Sequence, residues 1–248
     1  NGVLWNENNG SESFTTHIIS ADHKYVREYN TPIDLDQDGD MDVIIGRGGG
    51  CNVGCENYNK VLTWAENNGS QSFTIHTIAS NLQSTGVYPS DIDNDGDIDL
   101  LIGYLNGLLW FENNGLEDFT QRTIYSSSNS YIGEGGLLVL DIDRDGDMDV
   151  VGSHENGSND YIEWYENNGS ESFTAHTIAT GFSLIRSVDA MDLDQDGDID
   201  VLSASSDDDK IVWYENNGSE SFTTHIITNS LIGVRDVYAE DIDRDGDI

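Results

Sequence analysis

Runs of five to seven residues in which apolar and polar side chains alternate recur along the whole chain. The segments 186–191 (RSVDAM), 200–205 (DVLSAS), 210–215 (KIVWYE) and 221–227 (SFTTHII) show the pattern. Each is rich in β-branched or aromatic residues and bounded by Gly, Asn, Asp or Ser, which predicts a short strand. Asn216-Asn217-Gly218 separates the last two, and Asn-Gly tolerates the positive φ angles of a tight hairpin. No stretch carries the 3.6-residue period of an amphipathic helix. Four short antiparallel strands in about 50 residues predict one blade of a β-propeller.

Two signatures repeat in register with that pattern. An aspartate-rich loop occurs as DLDQDGDMD at 34–42, DIDNDGDID at 91–99, DIDRDGDMD at 141–149, DLDQDGDID at 192–200 and DIDRDGDI at 241–248. A hairpin of the form W-x-E-N-N-G starts at Trp5, Trp64, Trp110, Trp164 and Trp213, which are all the tryptophans of the chain. The loops begin 57, 50, 51 and 49 residues apart, so the chain is an all-β array of five tandem repeats. The loop falls between the first and second strands of each blade. The blade units are 1–20, 21–80, 81–126, 127–180, 181–230 and a partial 231–248, within one domain spanning 1–248.

The period of two assigns faces. Val3, Leu62, Leu108, Ile162 and Ile211 stand two residues before each Trp and share its face. The residue after Trp varies (Asn6, Ala65, Phe111, Tyr165, Tyr214), which makes the Trp face the more constrained one. In the last strand Phe14, Phe73, Phe119, Phe173 and Phe222 mark one face; Ile19, Ile78, Ile124, Ile178 and Ile227 mark the other. Both faces are apolar, as a blade between two neighbours requires. Asn1–Trp5 matches 106–110, so the chain opens at a third strand, and it closes one residue short of a full aspartate loop. The expectation is that 1–20 and 231–248 share one blade, or that the chain is a window cut from a longer array whose open strand edges invite self-association.

Composition narrows the partners. The 248 residues carry a formal charge of −37, which excludes a phosphate backbone and anionic lipid as binding partners. No run approaches the ~18 apolar residues of a spanning helix, so membrane insertion is not expected. The aspartate loops hold 24 of the 47 acidic residues, so the charge is concentrated where the chemistry is expected.

The loop pattern D-x-D-x-D-G-D-x-D crowds like charges into a tight turn, tolerable with a cation inside or with raised pKa values. Hard oxygen donors in a flexible loop select Ca²⁺ over soft metals. Positions 1, 3 and 5 offer carboxylate oxygens, Gly at 6 permits the turn, position 7 offers its backbone carbonyl and position 9 a bidentate carboxylate. The predicted metal residues are Asp34, Asp36, Asp38, Asp40 and Asp42; Asp91, Asp93, Asp95, Asp97 and Asp99; Asp141, Asp143, Asp145, Asp147 and Asp149; Asp192, Asp194, Asp196, Asp198 and Asp200; and Asp241, Asp243, Asp245 and Asp247. Up to five Ca²⁺ are expected, one per loop. The loop runs into Val/Leu/Ile-rich sequence rather than a helix with Glu at position 12, which rejects an EF-hand.

These five loops, with the strand pattern between them, resemble FG-GAP/VCBS-type repeats, the calcium-binding blades of integrin-α-like β-propellers. The resemblance covers essentially the whole chain and implies a propeller with Ca²⁺ in each loop and an extracellular setting. The function expected on these grounds is a non-enzymatic scaffold, secreted or on the cell surface, for adhesion, protein interaction or self-assembly into a fibre or surface layer, the open strand edges at the chain ends motivating the assembly version. The partner would be another protein or a glycan. The alternatives are a lectin-like polysaccharide-binding module and an accessory propeller of a larger secreted enzyme.

Other residues fit architecture better than chemistry. His17, His76, His176 and His225 recur at one place in the last strand, with Arg122 in the fifth copy, and repetition argues against a catalytic histidine. No catalytic residue is assigned. Phe111, Tyr165 and Tyr214 are the better candidates for stacking on sugars, the tryptophans being read as packing residues. Cys51 and Cys55 predict a local disulfide, with free thiols as the alternative. Asn-Gly-Ser at Asn9, Asn68, Asn156, Asn168 and Asn217 matches the glycosylation sequon, though Asn-Gly has its own reason to occupy hairpins. Individual function is expected where the repeat breaks, at 47–60, 126–136 and 153–160.

Overall fold

A computed structural model of the chain describes residues 2–21, 30–46, 61–82, 84–116, 118–127, 131–156, 159–219, 221–246 and 248. Among the described residues there is no helix, and eighteen strands form five antiparallel sheets. The first sheet has two strands, β1 (Val3–Asn8) and β2 (Phe14–Ser20). The others have four each. They are β3 to β6 (Asn30–Ile33, Asp42–Ile45, Val61–Asn67, Phe73–Ser80) and β7 to β10 (Ser84–Ser90, Asp99–Tyr104, Gly107–Asn113, Phe119–Ser126). They continue with β11 to β14 (Tyr131–Leu140, Asp149–Glu155, Asp160–Asn167, Phe173–Phe182) and β15 to β18 (Ile185–Met191, Asp200–Ser205, Lys210–Asn216, Phe222–Thr228). Within each four-stranded sheet, sequence neighbours are spatial neighbours, the up-and-down order of a propeller blade.

In the four-stranded sheets the aspartate loop joins the first strand of a blade to the second, and the Asn-Asn-Gly hairpin joins the third to the fourth. Both turns therefore lie at the same end of the blade. The segment 231–240 after the last strand lies beside the last sheet: Ser187 Oγ donates to Asp236 Oδ1 at 2.9 Å, and the Ala239 N–H donates to Asp189 Oδ2 at 2.8 Å.

The core is a stack of apolar layers, each made by two successive sheets. Trp64, Leu62 and Ile44 pack with Leu100, Leu109 and Phe111 of the next blade. Trp110, Leu108 and Leu101 pack with Val150 and Tyr165, and Trp164 and Ile162 with Val201 and Tyr214. Val3 and Ile19 meet Ile45 and Ala65 in the same way. Trp5, Trp64, Trp110 and Trp164 thus face forward, and Ala65, Phe111, Tyr165 and Tyr214 face back. The expectation that both faces of a blade are apolar agrees with this packing: although the residue after Trp varies, Ala65, Phe111, Tyr165 and Tyr214 are 0–2% exposed. Their sizes differ because each fills the space that one particular neighbour leaves. The last-strand Phe residues also face back; Phe173 meets Trp110 edge-on at 6.3 Å.

Nearest-neighbour stacking makes every layer cooperative with the next. Trp110 is 1% exposed, and Trp110→Ala is expected to cost ~3–5 kcal/mol. Trp213 is only half-buried, so Trp213→Ala is expected to cost less than half as much. Urea midpoints of the two variants check this, and equal losses would refute the layered account.

Candidate metal centres

Every aspartate loop is wound by its own side chains. The position 1 carboxylate accepts the Gly N–H of position 6: Gly39 to Asp34 Oδ2 at 3.1 Å, Gly96 to Asp91 at 3.1 Å, Gly146 to Asp141 at 3.1 Å, Gly197 to Asp192 at 3.2 Å and Gly246 to Asp241 at 3.0 Å. In the first four loops, position 3 accepts the N–H of position 5 at 3.1–3.3 Å, and position 5 accepts the N–H of position 7 at 2.8–2.9 Å. Position 4 takes the left-handed conformation in every loop (φ +59 to +64°), as does the Gly at 6 (φ +97 to +107°).

This winding turns the carboxylates inward. Among the described residues, ligand oxygens of Asp34/Asp36/Asp38, Asp91/Asp93/Asp99, Asp141/Asp143/Asp149, Asp192/Asp194/Asp196 and Asp241/Asp243/Asp245 lie within 4.8 Å of one another in each group. The second oxygen of position 1 (Oδ1 of Asp34, Asp91, Asp141 and Asp192) is buried and accepts no hydrogen bond. An anionic oxygen without donor or water is costly. The same unpaired oxygen recurs in four loops, each beside carboxylates that could hold a metal ion. Burial first, and then the facing carboxylates, raises the pKa of Asp36, Asp93 and Asp143 at position 3.

Position 9 has a second task. Asp42, Asp99, Asp149 and Asp200 are fully buried. One oxygen of Asp99 accepts the Ile92 N–H at 3.0 Å and the other the Asn113 N–H at 2.7 Å, which straps the loop to the end of the third strand. Asp42, Asp149 and Asp200 repeat the strap. The Trp64 indole N–H also donates to Asp42 at 2.8 Å. The indoles of Trp110, Trp164 and Trp213 lower the pKa of the matching carboxylates without reaching hydrogen-bond geometry. Burial outweighs these donors and pushes Asp99 and Asp149 up to about 7; Asp42 and Asp200 are raised for the same reason.

Position 7 stands apart. The carboxylates of Asp40, Asp97, Asp147 and Asp198 lie over the hairpin glycines Gly69, Gly115, Gly169 and Gly218. A Cβ there would fall 2.4 Å from the carboxylate oxygen, so the hairpin needs Gly for space as well as for φ. These side chains are outside the oxygen clusters, leaving the position 7 backbone carbonyl as the group available to a cation. Asp247, Cys51 and Cys55 lie outside the described residues, as does the stretch 47–60.

Two recurrent partners were missed in the sequence. The Glu of W-x-E-N-N-G meets the last-strand His: Nε2 to Oε2 is 3.0 Å for His17–Glu7, 2.6 Å for His76–Glu66, 2.7 Å for His176–Glu166 and 2.6 Å for His225–Glu215. Each His stacks on the Trp of its own blade at 4.5–4.7 Å. Arg122 takes the same place over Trp110 and bonds Glu112 and Glu171. The first Asn of each full-blade hairpin (Asn67, Asn113, Asn167, Asn216) is the second. Its Nδ2 donates to the position 8 carbonyl, and its Oδ1 accepts the hairpin Gly N–H. The invariance of Glu and Asn in the motif was the available signal.

The proposed sugar-stacking role of Phe111, Tyr165 and Tyr214 is corrected by their burial between blades. At the broken repeat around 153–160, His154 is fully buried, stacks on Tyr161 at 4.4 Å, and shares a hydrogen bond with Tyr165 Oη at 2.8 Å. Burial pushes His154 down to about 3 and the Tyr165 hydroxyl upward, so both stay neutral around neutral pH.

The profile of the FG-GAP-like repeat family matches the chain four times, over residues 34–102, 91–152, 141–203 and 192–248. No curated protein matches. Among solved structures, the chain is similar to a lectin of Agrocybe aegerita described as recognising non-reducing terminal N-acetylglucosamine, at 16% identity and a TM-score of 0.43, over 93% of this chain and 75% of that one. It is also similar to BBS1N, solved in complex with ARL6DN, at 12% identity and a TM-score of 0.49, over 83% of this chain and 58% of that one. Among the described residues no helix is long and apolar enough to cross a membrane.

Proposed function

This chain belongs to the FG-GAP-like repeat family, and on that premise we propose that it is a calcium-stabilised, non-enzymatic scaffold of the extracellular space. The observation that carries the calcium reading is the buried, partnerless Oδ1 of position 1 in four loops, beside carboxylates of positions 3 and 5 or 9. Every donor is oxygen, which disfavours zinc and copper. Carboxylates at 1, 3, 5 and 9 with the backbone carbonyl of 7 supply enough oxygens for the six to eight of Ca²⁺. Because position 9 also straps the loop to the third strand, an ion there ties three strands of a blade together.

The scaffold role is supported by the repetition of the polar side chains from blade to blade. The repeated His and Glu are engaged in Trp-capping pairs, and the non-repeating His154 is fully buried against Tyr161 and Tyr165. What remains outward is a strongly acidic surface and the outermost strand of each blade, with Phe14, Ile18, Ile75 and Ile226 exposed. Such edges suit adhesion, protein interaction or self-assembly, with another protein or a glycan as partner.

Equilibrium dialysis of the full chain against Ca²⁺ tests the reading. Four to five ions per chain are expected, with dissociation constants of ~10⁻⁴–10⁻³ M or tighter, the range of extracellular modules. Fewer than one ion per chain at millimolar Ca²⁺ would reject it.

A further inference from the structure

Consecutive loops touch, and always through the same position. Gln37 Nε2 donates to the Gly96 carbonyl at 2.6 Å, and Asn94 Nδ2 donates to the Gly146 carbonyl at 3.0 Å. Gln195 Nε2 donates to the Gly246 carbonyl. In each case position 4 of one loop grips the position 6 carbonyl of the next. The remaining junction differs. Arg144 lies over Gly197, and its Nη2 is 4.0 Å from Asp192 Oδ2, a ligand-group carboxylate of the fourth loop.

The left-handed backbone at position 4 is costly for Gln and Arg, which lack the local compensation available to Asn. It directs the side chain out of its own loop and across the blade boundary. The carbonyl it holds belongs to the peptide whose N–H, on position 7, donates to position 5 of the same loop (Asp97 to Asp95 at 2.8 Å). One residue further on is the backbone carbonyl that position 7 offers to the ion. The position 4 side chain is therefore a positioning residue for the neighbouring site, not a ligand of its own.

We propose that position 4 links cation binding between blades, so that loops 1, 2 and 3 fill as one group and loops 4 and 5 as another, with Arg144 breaking the chain between them. This rests on the calcium reading above. Ordering loop 1 around its ion presents Gln37 to loop 2 and lowers the cost of ordering loop 2; by reciprocity loop 2 does the same for loop 1. Among the described residues Arg144 makes no carbonyl bond across its junction, and its charge near Asp192 competes with an incoming cation.

The test is a Ca²⁺ titration of the ¹⁵N-labelled full chain, following the amides of Gly39, Gly96, Gly146, Gly197 and Gly246. In the parent protein the first three are expected to share one midpoint, and the last two to share another at higher Ca²⁺. Asn94→Ala should separate Gly146 from Gly96 by about fivefold in midpoint, one neutral hydrogen bond's worth. Asn94→Gln should restore the shared curve. Arg144→Gln should bring Gly197 towards the first group. All are exposed positions, and an unchanged far-ultraviolet spectrum verifies the fold. Glycine shifts whose midpoints ignore Asn94→Ala and Arg144→Gln would overturn the linkage while leaving calcium binding intact. No Ca²⁺-dependent shift at any of the five would overturn both.

Discussion

Chelating divalent ions with EGTA at neutral pH is expected to lower the melting temperature by tens of degrees. An ion at 100 times its dissociation constant stabilises the folded state by ~2.7 kcal/mol per site. The four loops with their position 9 strap in place would together contribute on the order of 11 kcal/mol. For a chain of this size each kcal/mol moves the midpoint by roughly 2–4 °C. The effect also carries a pH signature. Asp99 and Asp149 are raised by burial from 3.8 to about 7 in the folded chain. A carboxylate whose folded pKa exceeds its unfolded one favours folding while protonated, and that contribution is lost as pH rises through the folded value. The ion-free melting temperature is therefore expected to fall between about pH 4 and pH 7. Saturating Ca²⁺ stabilises the ionised form and should flatten or invert this slope. Melts across that range, with EGTA and with Ca²⁺, check both claims; curves indifferent to chelator would contradict them.

The blade was legible because its signals are local and repeated. Alternation in segments such as KIVWYE gives the strands, Asn-Asn-Gly gives the hairpin, and D-x-D-x-D-G-D-x-D gives the loop. What lies between blades was less legible. Tyr165 and Tyr214 vary from repeat to repeat because each matches a different neighbour, and one sequence does not show which residues face across a boundary. The grip of Gln37 on Gly96 was invisible for the same reason: position 4 reads as a free variable (Gln, Asn, Arg) until the next loop is placed beside it. Position 9 was read as a ligand alone. Its strap to the third strand depends on two backbone N–H groups, one of them far along the chain, and backbone donors leave no mark on a sequence pattern.

That double duty separates two carboxylates of one loop by experiment. Asp93→Asn at position 3 keeps an oxygen to accept the Asp95 N–H and removes a charge facing Asp95, Glu112 and Asp91. In EGTA this variant is expected to melt at or above the parent, because a repulsion is relieved and no donor is stranded. In Ca²⁺ it should lose most of its own site's ~2.7 kcal/mol. Asp99→Asn at position 9 has one acceptor oxygen where two N–H groups need one each, so its amide NH₂ must face a buried donor. That mismatch costs ~1–3 kcal/mol whether or not the ion is present. Asp99→Asn is therefore expected to be destabilised in EGTA and further behind the parent in Ca²⁺. The sign of the difference between the two variants in EGTA decides the matter: if Asp93→Asn falls as far as Asp99→Asn without the ion, the loop is held by its fold rather than strained by its charges, and the cation is not what its geometry is built around.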